Sequence, residues 1–276
     1  MDDLIARLVD LIRETSSSLP ADVLAALAAA RDREERGKSA AAVIETVLEN
    51  CSLARERGTP LCQDTGTLAF YVDRSLEALV TRAEISAAVA RATELGYLRR
   101  NCLDSVTGFS YDDNCATDAP VIHYGDFGAR QVTLLMKGGG SENMSRQYSL
   151  PDAALGAGRD LEGVRRCVLD AVDRARGYGC APGILGVCIG GDRATAYDVA
   201  KRQLLRPLDD RAAAPLGELE ARLLEEANSL GIGPMGLGGR TTLLGVKIAA
   251  RPRLPASFFV TVAYMCWACR RRTITI

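Results

Sequence analysis

The stretch Leu161-Glu-Gly-Val-Arg-Arg-Cys-Val-Leu-Asp-Ala-Val-Asp-Arg-Ala-Arg176, then Tyr178-Gly-Cys-Ala-Pro-Gly183, then Ile184-Leu-Gly-Val-Cys-Ile189, decides the fold. The first segment reads as an amphipathic helix and the last as a short buried strand. Asp192 then stands as the N-cap of another helix that reaches Leu205. Working outward, the first third of the chain reads as helices. Leu4, Ile5, Leu8, Val9, Leu11 and Ile12 form one apolar face, and further helices cover 20–33 and 38–57, the last ended by Gly58-Thr-Pro60. Strands are expected at 67–72, 121–124 and 131–136, with a helix at 81–95 whose Thr81 and Glu84 have capping-box spacing. A helix at 216–230 stops at Gly231, a natural residue to follow a helix, and apolar strands at 243–248 and 258–263 close the chain. Helices and strands are mixed without regular βαβ alternation. The expected fold class is therefore α+β, a helical N-terminal part followed by mixed sheets flanked by helices, in a single domain over residues 1–276.

Composition narrows the function. The 276 residues carry a formal net charge of −1, with 47% hydrophobic and 25% charged residues, so the chain is ordinary for a globular protein. No basic run marks a nucleic-acid partner. No apolar run approaches the ~18 residues of a membrane span, and the acidic start, Met1-Asp-Asp-Leu, lacks the form of a signal peptide. Nine cysteines in a chain of this length point to thiols or a metal centre in a reducing cytoplasm rather than to a disulfide scaffold. The single histidine, His123, sets aside most zinc-hydrolase arrangements.

Local context separates the cysteines. Cys62 lies in Pro60-Leu-Cys-Gln-Asp-Thr-Gly66, Cys180 in Tyr178-Gly-Cys-Ala-Pro-Gly183 and Cys266 in Tyr264-Met-Cys-Trp-Ala268, each where a sulfur can emerge from the scaffold. Cys51 and Cys167 sit in amphipathic helices and Cys188 in a buried strand, where a cysteine acts as a small hydrophobe. Cys102 and Cys115 are loop cysteines. Cys266 and Cys269 also form a Cys-x-x-Cys pair, which could be half a zinc site or a redox pair, but no second pair accompanies it. Three separated thiolates with no fourth are one way to hold a [4Fe–4S] cluster with one iron left open.

Other phrases bear on binding. Asp64, two residues past Cys62, reads locally as an Asx-turn residue. In Lys137-Gly-Gly-Gly-Ser-Glu-Asn143 three glycines let the backbone approach an anion; the other reading is a flexible loop. Leu98-Arg99-Arg100 offers a guanidinium for a carboxylate, or two solvated side chains. Gly231-Ile-Gly-Pro-Met-Gly236 matches Gly-x-Gly-x-x-Gly, but it follows a helix and contains Pro234, so a dinucleotide site is rejected.

Taken in order, these phrases, with Ile189-Gly-Gly191 and the Arg270-Arg271 that follows Trp267-Ala268, resemble the iron–sulfur (class I) fumarate hydratase and tartrate dehydratase family, specifically its alpha subunit or the N-terminal domain of its single-chain members. The resemblance implies a [4Fe–4S] cluster on Cys62, Cys180 and Cys266, with Asp64 and Gln63 as catalytic residues. It places the substrate, a C4 dicarboxylate, on Arg99, Gly139, Gly140 and Ser141. It implies reversible hydration, with fumarate/malate first and tartrate or a methylated dicarboxylate next. It also implies a beta-subunit partner, an alpha–alpha dimer within a heterotetramer, and a cytoplasmic location. Two stretches depart from the family pattern. Leu254 stands in Arg253-Leu254-Pro255-Ala256 where the family carries histidine, and 110–114 keeps only its final asparagine, Asn114. Leu254 motivates the alternative of a non-catalytic paralogue serving as a binding or assembly module.

Overall fold

The computed structural model describes residues 2–276. In chain order the elements are α1 (Asp2–Ser17), α2 (Ala21–Arg33), α3 (Ser39–Arg57), β1 (Thr67–Asp73), α4 (Arg82–Glu94), β2 (Cys102–Leu103), β3 (Ser110–Tyr111), β4 (Val121–Gly125), β5 (Gln131–Lys137), α5 (Gly139–Asn143) and β6 (Arg146–Ser149). They continue with α6 (Leu161–Ala175), β7 (Gly183–Gly190), α7 (Arg193–Gln203), α8 (Leu216–Ser229), β8 (Leu243–Arg251), β9 (Phe259–Met265) and β10 (Arg270–Thr275). The α+β expectation holds. Two compact units emerge, one of residues 1–20, 49–139 and 268–276, the other of residues 21–48 and 140–267.

In the first unit a four-stranded sheet runs β10-β5-β1-β4, with β1 parallel to β4 and the other pairs antiparallel. The period of two sorts β1. Leu68, Phe70 and Val72 enter the core with Leu8, Ile12 and Val89 from α1 and α4. Tyr71 faces the other way and stacks on His123 at 4.8 Å. The capping box of α4 is present: Thr81 accepts from the Ala83 amide while Glu84 receives the Thr81 amide. Replacing such a cap costs about 1 kcal/mol.

In the second unit the sheet order is β6-β9-β7-β8. Helices cover both faces, α6 and α8 on one and α7 on the other, which is why β7 reads as an unbroken apolar run. Gly186 lets α7 sit close, since a Cβ there would lie 2.1 Å from the Ala200 carbonyl. Asp192 caps α7 through the amides of Ala194 and Thr195, as its position predicts.

Four strands lie outside the expected pattern: the two-residue β2 and β3, which pair with each other, and β6 and β10. β6 is polar in sequence. β10 extends the chain beyond 258–263, which therefore does not close it; its Arg270-Arg271-Arg272 start looks like a solvated run, yet Arg270 is buried and pairs with Met136 of β5. No helix of the described residues is long and apolar enough to cross a membrane.

Candidate active site

The 62–66 turn and the start of the glycine run meet in the first unit. Gly66 has φ +74°, and a Cβ on it would lie 2.4 Å from the Lys137 carbonyl, so only glycine lets the two backbones touch. This contact carries Asp64 to the run. Its Oδ2 accepts the Gly139 amide at 2.7 Å, and its Oδ1 accepts the Asn101 side-chain amide at 3.0 Å. The Asp64 amide donates to the Cys62 sulfur at 3.5 Å. The carboxylate is thus not spent on a local Asx turn. It is aimed by two donors far away in sequence, at the wall of a cleft of about 290 Å³ that Asn101, Asn114, Gly139 and Pro120 also line.

A buried polar frame supports the cleft. The Thr65 hydroxyl donates to the Arg99 carbonyl and accepts the Arg99 amide, at 2.8 and 2.9 Å. Asn114, buried and left-handed at φ +61°, accepts the Asn101 amide and donates to Thr93 and to the Arg99 carbonyl. Asparagine tolerates that backbone better than most residues. Arg100 pairs with Asp112 at 3.4 Å, whereas the exposed Arg99 side chain has no ion-pair partner among the described residues. Of the two arginines, Arg99 is the one free to meet a ligand. Gln63, next to Asp64 in sequence, is exposed at the 62–66 turn.

In the second unit Cys180 and Cys266 share one end of the β7–β9 pair. Ile184 pairs with Met265, and the Trp267 amide donates to the Cys180 carbonyl at 3.3 Å. Burial raises the Tyr264 phenol far above its usual range, helped by both of these thiols. Cys180 is exposed and holds φ +54°, an uncommon conformation for a non-glycine residue. The Gly231–Gly236 phrase supports this loop from beneath: the Met235 amide donates to the Ala181 carbonyl at 2.9 Å, and a Cβ on Gly177 would lie 2.4 Å from the Met235 carbonyl. It makes no dinucleotide-binding turn, and it also steadies Thr242, whose hydroxyl accepts the Gly233 amide. Ser141 is buried, and its hydroxyl accepts the Cys266 amide at 3.1 Å. The glycine run thus meets Asp64 at Gly139, while Gly140 is exposed and open.

The other thiols differ in kind. Burial pushes Cys167 up to about 12, and Cys51 and Cys188 up to about 11. A raised thiol pKa means less thiolate at a given pH, so at pH 8 the Cys167 thiolate is only about one part in 10⁴. Alkylation of metal-free protein at pH 8 should therefore mark Cys180 first and Cys167 and Cys188 last, read by peptide mass mapping. Early labelling of Cys167 would contradict this burial. Leu254 is 73% exposed and does not pack in the core. Its loop is gripped by Arg159, which donates to the carbonyls of Pro255 and Ala256, and by Arg253, which donates to the Leu254 carbonyl.

The fumarate hydratase (Fumerase) family model matches residues 5–275. The chain belongs to this family. It is 46% identical, over its whole length, to a protein named fumarate hydratase class I from Geobacillus stearothermophilus, and covers 55% of that relative. It is 35% identical to a protein named L(+)-tartrate dehydratase subunit alpha from Methanocaldococcus jannaschii, across 95% of this chain and 94% of the other. With the L(+)-tartrate dehydratase subunit alpha of Escherichia coli K12 the identity is 29% over the whole chain and 90% of that subunit. The chain thus spans about half of the fumarate hydratase and nearly all of the two alpha subunits.

Thr65 and Asn101 did not stand out in the sequence as parts of a site, and Arg270 stood out only as part of a family phrase. Asn101 follows two arginines that draw the eye. Asn114 carried a signal, as the one residue of 110–114 that fits the family pattern.

Proposed function

We propose that this fumarate hydratase family chain is the cluster-bearing alpha part of a hydro-lyase that reversibly hydrates a C4 dicarboxylate, with fumarate/malate ahead of tartrate. The observation that carries this reading is the Asp64 carboxylate, aimed by Gly139 and Asn101 and joined through its own amide to the Cys62 sulfur. The identity of 46% to the fumarate hydratase, against 35% and 29% to the dehydratase subunits, supports the substrate order.

The donor set suits a [4Fe–4S] cluster. Cys62, Cys180 and Cys266 are exposed or half-buried, as are Cys102 and Cys115, whereas Cys51, Cys167, Cys188 and Cys269 are buried. Thiolates are the ligands that iron–sulfur clusters use. Bound to the three thiolates, the cluster would supply an open Lewis-acidic iron that helps a C–O bond break. Asp64 would take or return the proton of the substrate hydroxyl at a carboxylate oxygen. The two donors that aim Asp64 fix the direction of its carboxylate. Arg99 would grip one substrate carboxylate bidentately, with the open Gly140 amide and the Ser141 hydroxyl as further donors. Gln63, at the tip of the turn, would orient the substrate beside Asp64.

The partner we propose is a beta subunit resembling the portion of the fumarate hydratase that this chain does not span, in a heterotetramer built on an alpha–alpha dimer, in a reducing cytoplasm. The test is anaerobic reconstitution with that partner, followed by loss of fumarate absorbance. Turnover that requires both proteins supports the proposal. A loaded complex that hydrates neither fumarate nor tartrate refutes it.

Leu254 favours the second reading, a paralogue kept for binding or assembly. Because this side chain is exposed, Leu254→His should change stability by no more than about 0.5 kcal/mol. A restored hydrogen bond to a charged group, worth about 1.5–3 kcal/mol, corresponds to about one to two decades of rate. We expect faster fumarate hydration by that factor at an unchanged melting temperature. An unchanged rate means that the histidine role does not extend to this chain.

A further inference from the structure

Arg270 opens β10, yet its side chain is only 1% exposed. Its Nη2 donates to the Asp64 carbonyl at 2.9 Å. Its Nε and Nη1 are buried and have no hydrogen-bond partner among the described residues. Its neighbours are different: Arg272 reaches Glu14 at 3.7 Å, and the side chain of Arg271 lies half-exposed. A guanidinium stays charged at any pH a protein survives. A buried positive charge with two unmet donors is costly unless an anion completes it.

The anion can be sought from Arg270's surroundings. The carbonyl that Arg270 grips belongs to the residue whose amide donates to the Cys62 sulfur. Two hydrogen bonds through one residue thus link the guanidinium to that thiol. An incoming dicarboxylate would have to reach Nε and Nη1 through protein, because neither atom meets solvent. A group assembled into the protein before turnover faces no such barrier.

We propose that Arg270 is a positioning and charge-compensating residue for the thiolate-held cluster. Its Nη2 fixes the Cys62–Asp64 turn, and its Nε–H and Nη1–H are offered to the sulfur-rich anion. The inference rests on the cluster reading above. Outer donors of this kind govern how tightly a metal group is kept and how its electronics are tuned.

The test compares full-length wild type, Arg270→Met and Arg270→Lys, each loaded anaerobically and then challenged with an iron chelator. The same proteins, metal-free, are unfolded in urea. Arg270→Met should lose its visible cluster absorbance about 10- to 100-fold faster than wild type, the usual scale for outer-shell partners of a metal site. Its metal-free form should be at least as stable as wild type, because an uncompensated buried charge has been removed. Arg270→Lys keeps the charge and should fall between the two in cluster lifetime. A wild-type cluster lifetime in Arg270→Met overturns the proposal. So does a metal-free Arg270→Met that unfolds more readily, with Arg270→Lys no better, which makes the guanidinium merely structural. An unchanged lifetime with a raised KM for fumarate overturns it in favour of a substrate carboxylate site. If the wild type itself takes up no cluster, the cluster reading has failed. If the wild type holds one and Arg270→Met holds it equally long, only the role of Arg270 has failed.

Discussion

Changing Cys62, Cys180 or Cys266 to serine should each abolish the brown colour of anaerobically prepared protein and reduce hydration to background. The same change at Cys51 or Cys167 should leave both. The contrast follows from surroundings rather than from residue type. Cys62 receives an amide hydrogen bond in a polar turn, and Cys180 is exposed on a loop held by Met235. The amide of Cys266 is tied to Ser141 at the end of β9. Cys51 and Cys167 are buried within α3 and α6, and burial pushes their thiols up to about 11 and about 12. A serine hydroxyl is a hard ligand and a poor substitute for thiolate on iron–sulfur centres. With only three protein ligands proposed, the loss of one leaves too few. A hydroxyl in the core at 167 costs about 1–3 kcal/mol, so those controls should be prepared and assayed cold. Retention of full iron content by any of the first three variants would remove that cysteine from the ligand set.

Asp64→Asn should keep the cluster and lose at least about 10²-fold in rate, the scale of general acid–base help. The geometry adds a stability effect. Both carboxylate oxygens accept from N–H donors, Gly139 on one side and Asn101 on the other. The new side-chain amide must turn its NH₂ toward one of them, which sets donor against donor at Gly139 or requires the Asn101 amide to flip, and the charge is lost either way. Lost hydrogen bonds to a charged group cost about 1.5–3 kcal/mol. The melting temperature should therefore fall while iron content at 20 °C or below, as an assay choice, stays level. Full activity in Asp64→Asn would reject a proton-handling role. Loss of rate only in proportion to lost iron would leave Asp64 as a purely structural residue.

Much of this architecture was legible in the sequence because local physics and tertiary context agree. Thr81 with Glu84, Asp192 and Gly231 mark helix ends, and those ends fall where the spacing predicts. The buried run of β7 keeps its apolar signature because helices cover both faces of its sheet. β10 was hidden because its charged start is buried at Arg270, contrary to what an arginine run normally does. β6 was hidden because Arg146-Gln-Tyr-Ser149 has little apolar content, and its pairing with β9 is a long-range fact.

The site was legible in part. The Cys62, Cys180 and Cys266 phrases stood out, and Asp64 was marked by its nearness to Cys62. What fixes Asp64 was not visible, because Gly139, Asn101 and Arg270 lie 75, 37 and 206 residues away from it. Local reading instead favoured an Asx turn, which the long-range donors displace. Leu254 shows the converse: it was marked only by standing where the family carries histidine, and the structure leaves it in solvent.

The central claim is that this chain holds an iron–sulfur cluster on three cysteines, and iron and acid-labile sulfide counted in anaerobically purified protein test it most directly. The account predicts about four irons and about four sulfides per chain, as one [4Fe–4S] centre requires. Colourless protein carrying stoichiometric zinc and no sulfide would contradict it.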